Sequence, residues 1–135
     1  MNVEERPIIV FDALCLLCSA HAQWVVKHDR KGRFRLASVQ SATGAFLCRR
    51  FGIDPADPMS ILLVEGGRAR VDSDAILAIL SGLGGVRRVA AAAARLVPAF
   101  LRDRLYRLIA RNRFRLFGRR ETCWLPDPAF RDRFL

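Results

Sequence analysis

Residues 7–18 read Pro7-Ile8-Ile9-Val10-Phe11-Asp12-Ala13-Leu14-Cys15-Leu16-Leu17-Cys18, and the fold is decided in that stretch. Pro7 to Phe11 is short, wholly apolar and rich in β-branched residues, which suits a strand buried on both faces of a parallel sheet. Asp12 interrupts the run, and a helical pattern begins almost at once. Ser19, Gln23, Lys27 and Arg30 recur at helical spacing as a wet face, with Leu17, Ala20, Trp24 and Val25 as the apolar one. The spacing predicts a helix from about Cys15 to Asp29, with Gly32 as its stop signal. The two cysteines therefore fall at a strand-to-helix junction, on one helical turn and within disulfide reach of each other.

Outward from this junction the pattern stays mixed. Phe34, Leu36 and Ser38 alternate with Arg33, Arg35 and Ala37, which reads as a second strand. Thr43 to Phe51 is a short helix with Phe46, Leu47 and Phe51 inward, Arg49 and Arg50 outward, and Gly52 at a left-handed cap. Asp54 to Pro58 is a loop, because each proline disfavours helix at the residue before it. Ser60–Val64 and Ala69–Val71 flank Glu65-Gly66-Gly67-Arg68 and make a hairpin. Ser73 or Asp74 is the expected cap of a third helix, with Ile76, Leu77, Leu80 and Leu83 as its apolar stripe and Gly82, Gly84 and Gly85 ending it.

A right-handed crossover makes the first two strands parallel, and the hairpin adds an antiparallel pair. That is the order of a thioredoxin, so the expected class is α/β with a thioredoxin-like βαβαββα core and additional C-terminal helices. Pro58, just before the third strand, stands where such folds carry a cis-proline. From Val86 to Asn112 the chain is helical again, broken at Pro98, with Leu101, Leu105, Leu108 and Ile109 expected inward. Residues 1–135 are read as one domain, with 86–135 a helical, arginine-rich C-terminal extension. The tail beyond Gly118 is expected to be irregular and packed by Trp124 and Phe130.

Composition narrows the function classes. The chain is 52% hydrophobic, too apolar for general disorder. Its best apolar run, Val89 to Ala94, ends at Arg95 and is too short to cross a bilayer. Glu4, Glu5 and Arg6 precede the first apolar run and Asp12 interrupts the pattern after it, unlike a secretory signal, so a cytoplasmic address is expected. Four cysteines in that compartment make a poor disulfide framework, whereas a Cys-x-x-Cys there is more often catalytic or metal-binding. The net charge of +10 is almost all arginine, since Lys27 and Lys31 are the only lysines. Such a charge attracts nucleic acid, acidic proteins or an anionic membrane surface, although a GC-rich genome also enriches arginine without any function behind it.

The Cys15–Cys18 pair carries the sharpest chemistry. A first-turn cysteine sits beside unpaired backbone N–H groups that favour thiolate over thiol, and the thiolate is the attacking species. Cys15 is thus the expected solvent-facing nucleophile and Cys18 the resolving thiol, with no metal or organic cofactor required. Leu16 and Leu17 add no charge between them, which points to a mild redox couple. Asp12 is a candidate proton acceptor, or a turn-making cap. His21 is a candidate base or a plain helix residue, Cys48 a filler, and Cys123 a further redox thiol or a residue packed by Trp124. Two other readings stay open. The thiols are inert and buried, or Cys15, Cys18 and His21 hold zinc with Cys48 or Cys123 as a fourth ligand. A binding module remains the rival class: the arginines from Arg102 to Arg120, with Tyr106, Phe114 and Phe117 among them, suit nucleic acid or an anionic membrane.

Phe11-Asp12-Ala13-Leu14-Cys15-Leu16-Leu17-Cys18 resembles the opening of the DCC-type thiol–disulfide oxidoreductases, small bacterial thioredoxin-like domains of largely unassigned substrate. Ser73-Asp74-Ala75, the stretch Arg111-Asn112-Arg113-Phe114-Arg115-Leu116-Phe117-Gly118-Arg119, and Cys123 followed by Pro126 are similar to the same family. Ala13, Leu14 and Leu16 depart from its usual glycine, small or acidic residue, and proline or glycine. The resemblance implies redox chemistry at Cys15 and Cys18. On the oxidoreductase reading the expected substrate is a protein or low-molecular-weight disulfide, with glutathione or thioredoxin systems recycling the couple.

Overall fold

The apolar run after Pro7 forms β1 (Ile8–Phe11), and all four of its residues are buried. The computed structural model describes residues 7–29, 32–55, 61–118 and 133–134. After β1 come α1 (Leu16–His28), β2 (Arg35–Ser38), α2 (Ala42–Arg50), β3 (Leu62–Glu65) and β4 (Arg68–Val71), then α3 (Asp72–Leu83), α4 (Gly85–Ala94), α5 (Ala99–Arg111) and α6 (Arg113–Phe117). The sheet order is β2-β1-β3-β4. β1 runs parallel to β2, with Ile9 opposite Leu36, and antiparallel to β3, with Ile9 opposite Leu63. This mixed α/β arrangement is that of a thioredoxin-like fold.

Pleating divides the core into two layers. Ile9 and Phe11 point with Leu36 and Leu63 toward α1 and α3, meeting Ala22, Val25, Val26, Ala75 and Ile79. Ile8 and Val10 point with Ala37, Leu62 and Val64 toward α2, meeting Leu47 and Cys48. The hairpin turns on Gly66 and Gly67, whose φ values of 58° and 77° are the left-handed pair a two-residue turn requires. Gly44 lets α2 sit against the end of β2: a Cβ there would lie 1.9 Å from the Ser38 carbonyl oxygen.

Several side chains face otherwise than their spacing predicts. Ser19, assigned to the wet face of α1, is fully buried, because its hydroxyl donates to the Ala13 carbonyl at 3.1 Å. Ala20, assigned to the apolar face, is exposed instead. Phe46 is exposed, since α2 turns Gly44, Leu47 and Cys48 to the sheet. The stripe of α3 runs through Ala75, Leu77 and Ile79, with Leu80 only half-buried. Neither Ser73 nor Asp74 is the N-cap of α3. Asp103 of α5 takes that part, accepting from the Ser73 N–H at 3.2 Å and from the Ser73 hydroxyl.

The largest difference lies in α5. Leu101, Leu105, Leu108 and Ile109 are exposed rather than inward, and Ala110 is the buried residue of this helix. Polar groups hold α5 in place: besides Asp103, the Tyr106 hydroxyl accepts from the Ile61 N–H at 2.9 Å, and Arg107 Nη2 bonds Asp72 Oδ2 at 3.1 Å. At the other end of the molecule, Arg133 donates to the Phe34 carbonyl and to Asp29, which closes α1, while Phe134 packs edge-on against Phe11.

Candidate redox site

β1 ends at Phe11 and the chain reaches α1 through a turn built on Asp12. Asp12 Oδ1 accepts from the Leu14 N–H at 3.0 Å and from Gln40 Nε2 at 2.8 Å, while its carbonyl accepts from the Cys15 N–H at 3.2 Å. Gln40 returns to the same turn through its Oε1, which accepts from the Ala13 N–H at 3.1 Å. The turn-making reading of Asp12 therefore fits its bonds, and its carboxylate still lies beside the thiols.

Cys15 occupies the N-cap of α1, with extended φ and ψ, and its Sγ accepts from the Cys18 N–H at 3.3 Å. An N-cap places the sulfur where the helix offers unpaired donors. A hydrogen bond from the Cys18 thiol, the Cys18 backbone N–H and the nearby Arg113 guanidinium together hold Cys15 down to about 6, against the opposing effects of burial and the Asp12 charge. Cys18 is pushed the other way, because its proton is held in the bond to Cys15, because it is buried, and because Cys15 and Asp12 carry negative charge. One proton is thus shared unequally between two thiols, and the sulfur that loses it is Cys15.

Exposure departs from expectation. Cys15 is fully buried, with 0% of its surface open, whereas Cys18 is half-buried. The chain at and after α6 packs beside this first turn. Gly118 places its carbonyl 3.5 Å from the Leu16 N–H, and Leu16 lies against it. Arg113 enters the site from the same segment, 6% exposed, bonding the Ala110 carbonyl at 2.8 Å and lying 3.8 Å from Asp12 Oδ2. The stretch 111–118 thereby acquires a physical role: it brings a buried guanidinium to the strand–helix junction and lies against the first turn. The residue type was visible in the sequence; its location so far from Cys15 along the chain was not.

The other candidates divide. His21 is held low by burial and stacks on Trp24. Trp24 also meets His28 and takes Arg87 over its ring, so this aromatic joins α1 to α4. Cys48 lies in the opposite layer with its thiol pushed up by burial, remote from a set formed by Cys15, Cys18 and His21. Among the described residues no group of three or more His, Cys, Asp or Glu side chains is placed to hold a metal ion. Pro58 and Cys123 lie outside the described residues. A surface groove of about 1020 Å³ lined by His28, Asp29, Arg33 and Glu65 sits at the opposite end of α1 from the thiols.

Comparison with known proteins bears on this geometry. Residues 9–119 match the family model of the DCC1-like thiol-disulfide oxidoreductases. The chain is 37% identical over 122 residues to a chloroplastic DCC family protein of Arabidopsis thaliana, covering 90% of this chain and 71% of that protein. It is 34% identical over 138 residues to the uncharacterized protein YuxK of Bacillus subtilis, covering 100% of this chain and 99% of that one. No solved structure matches significantly. Relatives thus occur in a plant as well as in a bacterium, wider than the bacterial grouping expected. No helix among the described residues is long and apolar enough to cross a membrane. With its matched span running from β1 through Arg119, the chain belongs to the DCC1-like thiol-disulfide oxidoreductase family.

Proposed function

We propose that the protein is a thiol–disulfide oxidoreductase working through the Cys15–Cys18 couple. The observation that carries this reading is the N-cap position of Cys15, whose sulfur receives the Cys18 N–H beside the buried Arg113. The Cys15 thiolate attacks one sulfur of a substrate disulfide, forming a mixed disulfide and releasing the other substrate sulfur as a thiolate that takes a proton from solvent. Cys18 then gives up its proton and attacks Cys15 Sγ, releasing the second substrate thiol and leaving a Cys15–Cys18 disulfide. Two electrons pass from the dithiol to the substrate, and the same steps in reverse oxidise a dithiol partner. Asp12 shapes the turn and stands near the Cys18 proton.

The substrate class proposed is a protein or small-molecule disulfide, with glutathione or a thioredoxin system returning the couple to the dithiol, in the cytoplasm. Burial of Cys15 adds a requirement that the sequence reading lacked: the chain over the first turn, Leu16 and Gly118 included, yields when a substrate docks. The test is mixed-disulfide trapping with a disulfide substrate, read by mass spectrometry. Cys18→Ser accumulates the adduct on Cys15, and Cys15→Ser forms none and loses turnover. An adduct that forms on Cys18 in Cys15→Ser, with none on Cys15 in Cys18→Ser, reverses the assignment.

A further inference from the structure

α5 is built inside out. Its protein-facing side carries Asp103, Tyr106 and Arg107 bonded to Ser73, Ile61 and Asp72, whereas Phe100 (70% exposed), Leu101, Leu105 and Leu108 (each of the last two 60% exposed) stand in solvent. Phe100, Arg104, Leu108 and Arg111 recur at helical spacing, so the leucines and the cations share one outward face. α4 and α5 both pack on α3, and α4 adds exposed Val86 and Val89 to this outer layer. Of the twelve large hydrophobic residues exposed among those described, ten lie between residues 86 and 116. Residues 86–118 contain nine arginines, Asp103 as their only acidic residue, and no lysine.

We propose that this face docks on an anionic lipid bilayer, with α5 lying in the plane of the interface. Apolar side chains flanked by arginines on one helix face are the pattern of an interfacial helix, whose leucines enter the acyl boundary while its cations meet headgroup phosphates. At 13 residues α5 is about 20 Å long, suited to lying on a bilayer rather than crossing it. Two other occupants fit less well. A two-fold pairing of copies brings Arg104 and Arg111 of one copy against like charges of the other. A nucleic acid gains from the arginines and from Phe100 but finds no partner for exposed leucines.

The full chain is tested by flotation with phosphatidylcholine vesicles, with and without phosphatidylglycerol, over a range of salt. The expected result is flotation with the phosphatidylglycerol vesicles, weakening as salt rises, and little with phosphatidylcholine alone. Leu105→Ser with Leu108→Ser lowers partitioning about a hundredfold, roughly tenfold per leucine. Arg104→Gln with Arg111→Gln lowers it about fivefold per charge. Both pairs are exposed, and unchanged circular dichroism and thermal unfolding verify the fold. The proposal is overturned by absence of flotation, or by flotation that the double leucine variant leaves unchanged, which is adhesion by charge alone. It is equally overturned by a dimer in sedimentation that the leucine variant dissolves, since a second copy then covers the face.

Discussion

Replacing Cys18 by alanine tests the electrostatics of the site at its root. With Cys15 held to about 6, thiolate exceeds thiol by about ten to one at pH 7. The Cys18 thiol is the largest contributor to that depression, and Cys18→Ala removes it while keeping the backbone N–H that lies 3.3 Å from Cys15 Sγ. A hydrogen bond to a charged group contributes about 1.5–3 kcal/mol, which at 1.36 kcal/mol per pH unit is a rise of roughly 1–2 units. The midpoint should therefore move to about 7–8, and the thiolate fraction at pH 7 should drop from about nine-tenths to between one-half and one-tenth. Ultraviolet thiolate absorbance against pH reads this directly and does not require a reagent to reach a buried sulfur. Cys15→Ser assigns the signal by abolishing the low-pH wave. A wild-type midpoint in the ordinary thiol range, or one that Cys18→Ala leaves in place, would falsify the reasoning.

Other outcomes follow from the same contacts. Arg113→Met should raise the Cys15 midpoint by less than Cys18→Ala does, and should also lower stability in urea, because Asp12 loses its neighbouring cation. Initial rates of disulfide reduction should fall as pH drops through about 6, where Cys15 takes up its proton. The same ionisation, depressed in the folded state, adds stability as pH rises from about 6 toward 9.0, and urea midpoints of Cys15→Ser should lack that rise. Gly44→Ala should cost about 3 kcal/mol, since the new methyl meets the Ser38 backbone, and a shift of the urea midpoint with an unchanged slope checks it. Arg133→Met should cost about 3 kcal/mol by stripping the cation from the buried Asp29 carboxylate, again read in urea.

The strand–helix junction was legible because its signals are local. An apolar β-branched run, a turn-making Asp12 and a helical period all lie within one short stretch, and Gly66-Gly67 specifies the hairpin in the same way. What escaped depends on groups distant in sequence. Ser19 looks wet by type yet turns inward, since the Ala13 carbonyl needs a donor there. α5 defeats the rule that leucines face the core, because Asp103, Tyr106 and Arg107 find bonded partners on α3 and at Ile61 that no periodicity encodes. Cys15 was expected in water because a helix start usually is. Its burial is not written in the local pattern, and Arg113 belongs to the site through a contact remote in sequence.

The late part of the chain holds both ends of α1: Gly118 meets Leu16 at its start, and Arg133 meets Asp29, 104 positions earlier, at its finish. Pairings so remote in sequence form slowly, after the local hairpin and helices. During synthesis the two sulfurs leave the ribosome well before their guanidinium has been translated. A nascent chain thus holds Cys15 without the Arg113 charge, and the cation's share of the thiol's acidity is added only once that segment has reached the strand–helix junction.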